Sequence, residues 1–168
     1  MKTIAAILLL SCYALGQDKI AVTAAEAACG PRDVKFEVRA DESQHPTPTP
    51  ENGKALIYVV KEDRISSRFG SRFGLDGKWV GALKGRTYFF VSIDPGEHHL
   101  CAIGQIGVAT RVSLRELKAE AGMTYYFVPH IVGEAVYAID SEFDLSQVDP
   151  DEGKDLVARA KFSASHPR

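Results

Sequence analysis

Short β-type segments separated by turn residues run through most of the chain, and this pattern is the strongest constraint on its fold. The segments ALIYVV at 55–60 and TYFFVSI at 87–93 are rich in β-branched and aromatic residues, which favour strands. Asp76-Gly77 is typical of a two-residue hairpin, because both residues tolerate the positive φ of a primed turn. Many short strands joined by frequent turns predict a mainly β protein, an antiparallel β-sandwich.

The early segments predict how deeply their strands are buried. Val34, Phe36 and Val38 alternate with charged residues, so this strand should have one buried and one solvated face. The segment at 55–60 is apolar throughout and should lie at the centre of the fold with both faces covered. Between them, DESQHPTPTPENG at 41–53 has three prolines at alternate positions, which favours an extended loop. A motif for a proline-reading partner is the alternative.

Three arginines, Arg64, Arg68 and Arg72, recur at four-residue spacing in KEDRISSRFGSRFG. On a helix they would share one basic face, where an anion could bind. The serines, Gly70 and Gly74 instead favour a loop that enters an irregular strand, with the arginines on a solvated face.

The second half of the chain continues the pattern of strands. RVSLRELKAEAG at 111–122 predicts a strand that ends in a short helix or a bulge. TYYFVPHIV at 124–132 predicts another strand, in which Pro129 implies an edge position or a bulge. AVYAI at 135–139 and FSAS at 162–165 predict two further short strands.

The last element differs from the others, because Asp149 is followed by a proline and two acids. Asp149 as N-cap and Glu152 three residues later are the acidic variant of a capping box. We therefore predict one short C-terminal helix over 150–160, despite Gly153. The alternative for Asp149, Asp151 and Glu152 is a catalytic acid pair or a set of calcium ligands.

The N-terminus has the layout of a secretory signal peptide over residues 1–16. Lys2 precedes a largely apolar run at 3–15, and small residues occupy the two key positions before a cleavage point after Gly16. The run is shorter than the roughly 20 residues that a membrane-crossing helix needs. Lipidation at Cys12, within Leu-Leu-Ser-Cys, is the alternative. The protein should therefore be exported, to the periplasm or the extracellular space, or anchored through Cys12.

Two cysteines, Cys29 and Cys101, remain once the signal peptide is removed. An even pair in an oxidising compartment predicts a disulfide. Since the two positions are 72 apart, the bridge would close a long loop and stabilise the fold by about 4 kcal/mol. A cysteine nucleophile is disfavoured, because burial in an apolar strand raises the pKa of a free thiol.

The residues around Cys101 also allow a metal site. Pro95 and Gly96 predict a turn, after which HHLCAI at 98–103 forms a strand. Side chains alternate along a strand, so His98 should point away from His99 and Cys101. The metal alternative therefore uses His99, Cys101 and Cys29, with Glu97 or His130 as a fourth ligand.

Consecutive aromatic residues in a strand must occupy both of its faces. One face should build the sandwich core, and the helix, the termini and the long loop should cover the other. An exposed aromatic patch, which would mark a ligand or partner surface, is the alternative. The aromatic residues concerned are Trp79, Tyr88, Phe89, Phe90, Tyr125, Tyr126 and Phe127.

The length of 168 residues predicts one domain, with a lead-in at 17–32 and the sandwich at 33–165. The net charge of −2 gives no strong field to attract nucleic acid or an anionic membrane. The sequence has no Gly-x-Ser-x-Gly elbow, phosphate loop or dinucleotide fingerprint. We therefore expect a non-catalytic protein without a cofactor, whose partner is an envelope protein or a small ligand.

Several of these segments together resemble a known family. GKALIYVV at 53–60, the segment DGKWVGALKGRTYFFVSIDPGEHHLCA at 76–102 and EAGMTYYF at 120–127 are similar to family 2846 of the domains of unknown function. The tail at 151–167 resembles the subgroup of this family that carries the two cysteines. The resemblance implies a small exported bacterial protein with a transthyretin-like or immunoglobulin-like sandwich, and it implies no catalytic residues. A weaker similarity is to surface-layer modules.

Three functional hypotheses follow from the sequence. The first is a non-catalytic binding or structural module of the bacterial envelope. The second is a metal-binding protein or metal-dependent hydrolase that uses His99, Cys101 and Cys29. The third is a lipid-anchored subunit of an envelope assembly. In the first, the important residues are structural: the disulfide of Cys29 and Cys101, the turns at Gly77, Pro95 and Gly96, and the cap at Asp149.

Overall fold

The computed structural model describes residues 29–31, 33–62, 70–104, 112–132 and 142–168. Several sequence predictions lie outside these residues. They are the signal peptide at 1–16, lipidation at Cys12, most of the lead-in, Arg64, Arg68 and the strand at 135–139.

The described part of the chain forms ten strands and one helix in two sheets. The larger sheet has the order β1-β10-β5-β2-β8-β9, and the smaller sheet has the order β4-β3-β6-β7. The elements are β1 (Phe36–Asp41), β2 (Ala55–Val60), β3 (Ser71–Leu75), β4 (Lys78–Leu83), β5 (Thr87–Ile93), β6 (Gly96–Gly104), β7 (Ser113–Ala119), β8 (Thr124–Val132), β9 (Glu142–Val148), α1 (Pro150–Arg159) and β10 (Lys161–Pro167).

The two sheets and the single described helix confirm the predicted class, a mainly β sandwich with a short C-terminal helix. Every pairing in the smaller sheet is antiparallel. The larger sheet includes two parallel pairings, β2 with β8 and β10 with β5. Long connections that pass through the other sheet join the members of both pairs, as a parallel pairing requires.

The sandwich core lies between the two sheets, and β2 runs through its centre. All six residues of β2 are buried, as predicted for a strand covered on both faces. Ile57 and Val59 point towards the smaller sheet and pack with Phe89 and Phe127. Gly81 of β4 faces this layer, where a Cβ atom would lie 2.9 Å from the ring of Phe89. The absence of a side chain at Gly81 therefore makes room for an aromatic ring of the opposite sheet.

A second apolar layer covers the outer face of the larger sheet. Tyr58 and Tyr126 stack there with ring centroids 5.2 Å apart, and Leu156 and Val157 of α1 pack into the same cluster. The aromatic residues are thus divided between two layers by strand alternation. The helix covers much of the outer aromatic face, as the sequence predicted.

Side chains bridge the two sheets at both of their lateral edges. At one edge, Ser163 Oγ donates to the Ala82 carbonyl at 2.8 Å, and Ala82 N donates to Ser165 Oγ at 3.1 Å. At the other, Leu145 N donates to Ser113 Oγ at 3.0 Å, and Arg115 Nε donates to the Leu145 carbonyl at 2.7 Å. These bonds occupy backbone groups that would otherwise be open to pairing with another chain.

Three strands differ from the sequence predictions. Strand β1 has no fully buried residue, because it is the outermost strand of the larger sheet and its apolar face is only partly covered. Strand β7 continues to Ala119 without the predicted short helix or bulge. Strand β10 is longer than FSAS and runs to Pro167, so the sandwich extends past the predicted boundary at residue 165.

Pro129 illustrates how a proline is accommodated inside a paired strand. It lies opposite Leu145 of β9, whose N–H and carbonyl are directed to Ser113 and Arg115 instead of to β8. The Pro129–Leu145 pair is therefore a non-hydrogen-bonded pair, where β9 requires no donor from the proline. On its other side β8 pairs with β2 only up to Phe127, so Pro129 occupies a local edge.

Candidate functional site

The candidate site is an open groove on the outer face of the larger sheet, with a volume of about 610 Å³. Four parts of the chain form it: the proline-rich loop, strand β2 at Tyr58, the start of β8, and one side of α1. The groove is lined by His45, Thr47, Pro48, Thr49, Tyr58, Met123, Thr124, Tyr126, Pro150, Lys154, Val157 and Ala158. Its volume lies within the range of about 300–1,000 Å³ that is usual for small-molecule sites.

Tyrosine hydroxyls fix the loop wall of the groove. Tyr58 OH donates to the Pro48 carbonyl at 2.8 Å, and Tyr88 OH donates to the Pro46 carbonyl at 2.9 Å. The ring of His45 also packs edge-on against Tyr88, with centroids 5.0 Å apart. The loop predicted at 41–53 is therefore held against the sheet as a wall, because proline carbonyls without a strand partner bind buried hydroxyls.

The helix wall is positioned by its cap and by a glycine. Asp149 is the N-cap of α1, and its Oδ1 accepts from Asp151 N at 2.9 Å and Glu152 N at 3.0 Å. A Cβ atom on Gly153 would lie 2.1 Å from Cγ of Tyr126. Gly153 therefore allows the helix to approach the sheet closely, although glycine is a poor helix former.

The groove combines an apolar lining with a few polar groups. Met123 is 47% exposed at its rim, and Val157 is buried beneath it. Tyr126 is 7% exposed as a whole, and its hydroxyl, which has no hydrogen-bond partner among the described residues, keeps some exposure to solvent. Burial raises the pKa of this hydroxyl, and the nearby charge of Lys154 lowers it in part. Burial also raises the pKa of Tyr58, to about 12, so both phenols stay protonated as donors.

The sequence did not predict this groove as a site. Its residues come from four stretches of the chain, and none of them carries a motif. One available signal was Gly153, since a glycine within an otherwise favourable helix often marks a close contact. The other signal was the runs of consecutive aromatic residues, which place aromatic side chains on both faces of their strands.

Cys29 and Cys101 form a disulfide on the opposite side of the molecule, with their Cα atoms 5.3 Å apart. Cys101 is fully buried in β6, and Trp79 packs against the bridge. The backbone of Cys29 lies directly on β3, where a Cβ atom on Gly74 would be 2.5 Å from the Cys29 carbonyl oxygen. Trp79 Nε1 also donates to the Pro31 carbonyl at 2.6 Å. The bridge thus fastens the segment around Cys29 to β6, and the contacts with Gly74 and Trp79 hold the same segment against the β3–β4 hairpin.

Arg72 belongs to this same attachment. Its guanidinium lies 4.5 Å from the centre of the Trp79 ring, and Nη1 donates to the Val34 carbonyl. Burial lowers the pKa of the guanidinium. The prediction of a solvated face is therefore wrong for Arg72, which is half-buried in strand β3, while Arg64 and Arg68 lie outside the described residues.

The proposed metal ligands are not gathered into one site. Both sulfur atoms belong to the disulfide, and the side chain of His99 is 61% exposed, with Nε2 3.8 Å from Glu116 Oε1. Glu97 is exposed on β6, and His130 is exposed on β8 of the other sheet. In the part of the chain that the structure describes, no three His, Cys, Asp or Glu residues are grouped to hold a metal ion.

The predicted turns lie on either side of His98. The β3–β4 hairpin has positive φ at Asp76 and Gly77, 49° and 78°. At Pro95 and Gly96 the chain does not form a hairpin within one sheet, since β5 and β6 belong to different sheets. Gly96 instead has φ of 140° where the chain crosses between them. His98 bridges these two connections, with Nδ1 at 2.6 Å from Asp76 Oδ2 and Nε2 at 2.8 Å from the Asp94 carbonyl oxygen.

Comparison with known proteins gives one informative relative. An uncharacterized protein of Haemophilus influenzae strain Rd is 23% identical to this chain over 118 residues, which are 70% of this chain and 66% of the relative. The chain thus spans just under two thirds of that relative's length. No family model matches the chain, and no solved structure matches it significantly. Among the described residues, no helix has the length and apolar character needed to cross a membrane.

Proposed function

We propose that this protein is a non-catalytic binding module of the bacterial envelope, and that the groove is its ligand site. The observation that carries the proposal is the Tyr126 hydroxyl, which has no partner among the described residues and lines a groove whose walls other hydrogen bonds hold in place. This hydroxyl keeps some exposure to solvent, so either water or an acceptor atom of a bound molecule can satisfy it. A preformed apolar groove with few polar groups is typical of ligand sites.

A binding role fits the chemistry of the groove better than catalysis does. A hydroxyl nucleophile needs a base within hydrogen-bond reach, and an orienting group behind that base. Among the described groove residues, the hydroxyl of Tyr58 bonds to a backbone carbonyl and no hydroxyl is bonded to a base. We therefore place the protein among binding modules, in keeping with its resemblance to family 2846.

The envelope location rests on the predicted signal peptide and on the disulfide. A disulfide persists in oxidising compartments such as the periplasm. Intact mass of the protein from its native host tests the location: cleavage predicts a chain that starts at Gln17, whereas the lipid-anchored alternative predicts an acylated Cys12. Free-thiol titration with elemental analysis tests the metal alternative, for which we expect no reactive thiols and no bound zinc.

The groove itself is tested with a neutral apolar probe, 2-naphthamide, in a calorimetric titration. We expect binding to the oxidised protein and its loss in Ala158→Trp, which fills the groove from the exposed side of α1. Ala40→Trp, on an exposed position of β1 away from the groove, is the control and should bind as the unmodified protein does. Equal binding by all three proteins, or none by the unmodified protein, would refute the groove as a ligand site.

A further inference from the structure

We propose that the groove takes a small organic carboxylate: an apolar body lies along the groove, and its anionic head binds Lys154 Nζ and the Tyr126 hydroxyl. This inference rests on the proposed function, because it names the ligand class of the same site. It goes beyond that function by assigning a charge to the ligand and two residues to its head group.

The charge of the groove supports an anion. Among the described lining residues, Lys154 carries the one permanent charge, and no carboxylate lines the groove. Lys154 Nζ lies 3.4 Å from Asp151 Oδ1, and both side chains are largely exposed. Such an exposed, long ion pair contributes little, roughly 0–1 kcal/mol, so the ammonium can exchange it for a ligand oxygen.

The Tyr126 hydroxyl provides the second contact. It has no hydrogen-bond partner among the described residues, and Lys154 lines the same groove, where its charge lowers the pKa of the phenol in part. A carboxylate has two oxygens and can accept from the phenol and the ammonium together. Hydrogen bonds to an ionised acceptor are about twice as strong as neutral ones, so this pair selects a carboxylate over an amide.

The apolar residues that line the rest of the groove favour a ligand with an apolar body. Pro48 and Met123 lie on two sides of the groove, and Val157 and Ala158 form the helix side. Burial of apolar surface here contributes about 25 cal/mol per Å². An inorganic anion or a small acid such as acetate would leave this surface uncovered and should bind weakly.

The test compares 2-naphthoate with 2-naphthamide, which have nearly the same shape and differ in charge. By calorimetry we expect the oxidised protein to bind naphthoate about fivefold more tightly, which is the gain from one partly exposed ion pair. Lys154→Gln should remove this preference, because the glutamine amide keeps a donor but carries no charge. Tyr126→Phe should weaken both probes, since both have an acceptor oxygen. Lys118→Gln, an exposed lysine on β7 of the other sheet, should change nothing.

A further variant gives a gain of affinity. Asp151→Asn removes the carboxylate that competes for Lys154, so naphthoate should bind up to about threefold more tightly while naphthamide is unaffected. If both probes bind the groove equally well and Lys154→Gln has no effect, the carboxylate assignment is wrong while the groove stands as a ligand site. If neither probe binds, the carboxylate assignment and the proposed function are both overturned.

Discussion

His98 should make the stability of this protein depend on pH in a defined direction. Its Nδ1 lies 2.6 Å from Asp76 Oδ2, and its Nε2 lies 2.8 Å from the Asp94 carbonyl oxygen. Both neighbours are acceptors, so the ring satisfies both contacts only when both nitrogens carry protons. The imidazolium then links the β3–β4 hairpin to the β5–β6 connection, and Lys54 holds Asp94 through an ion pair of 2.6 Å.

The shifts in pKa fix the sign of the effect. Burial opposes the charge on His98, but the bonds to Asp76 and to the Asp94 carbonyl outweigh it and raise the pKa of the ring above its usual value of 6.5. This stabilisation is complete below about pH 6.5 and is lost as the pH rises through the higher pKa of the folded state. Burial likewise opposes the charge on Asp76, yet hydrogen bonds from His99 N and His98 lower the pKa of its carboxyl. The Asp76 contribution is therefore present above about pH 4 and is lost as the pH falls further.

The size of the expected change in unfolding free energy follows from the two hydrogen bonds of the His98 ring and from the solvent exposure of the groups that form them. A hydrogen bond that involves a charged group contributes roughly 1.5–3 kcal/mol when buried. The side chain of His98 is 13% exposed, but that of Asp76 is 44% exposed, so solvent screening reduces the ionic part. We expect His98→Ala to lower the free energy of unfolding by about 2 kcal/mol at pH 6, with about half of that difference disappearing by pH 9.

Urea unfolding, followed by circular dichroism between pH 5 and pH 9, measures this effect. The unmodified protein should lose stability over the upper part of this range, and His98→Ala should lose less. His99→Ala is the matched control, because the neighbouring ring is 61% exposed and should retain the pH profile of the unmodified protein. Parallel profiles for the unmodified protein and His98→Ala would show that His98 is not a cation in the fold, and would refute the reasoning.

Three further predictions concern stability and are measured by urea unfolding. Reduction of the disulfide, or Cys29→Ser together with Cys101→Ser, should lower the free energy of unfolding by up to about 4 kcal/mol, and an unchanged midpoint would contradict this. Gly153→Ala should destabilise the protein although alanine gains about 1 kcal/mol of helix propensity, because the new methyl group would collide with Tyr126. A stabilised variant would disprove this packing. Asp149→Ala should cost about 1 kcal/mol, and Asp149→Ser, which keeps a capping oxygen, should restore most of it.

Local sequence patterns predicted individual elements well where the structure depends on the preferences of a few consecutive residues. Strand β5 has the predicted bounds of 87–93, because β-branched and aromatic residues fit a pleated, buried surface. The Asp76-Gly77 hairpin and the helix start at Pro150 were also predicted, since they depend on backbone conformations that few residue types favour. The apolar segment at 55–60 lies at the centre because both faces of the strand need cover.

The sequence patterns were insufficient where burial or chain direction depends on a strand that is distant in the sequence. The apolar face of β1 is only partly buried, because its place at the edge of the sheet depends on pairing with β10 at the other end of the chain. The turn at Pro95 was predicted from its residues, but the crossing from one sheet to the other was not. Pro129 lies at a local edge, as expected from its sequence, but the edge itself exists because β2 stops pairing with β8 at Phe127.

The sequence alone determined that the chain is mainly β, where most strands and turns lie, and that two cysteines were available to pair. Tertiary structure alone decided which strands are neighbours and which aromatic face receives the helix. It also decided that Tyr126 and Lys154 line one groove whose other wall is the proline-rich loop. The reason is physical: strand and turn preferences arise from a few consecutive residues, whereas sheet order and a groove depend on contacts between segments far apart in the chain, which local patterns do not encode.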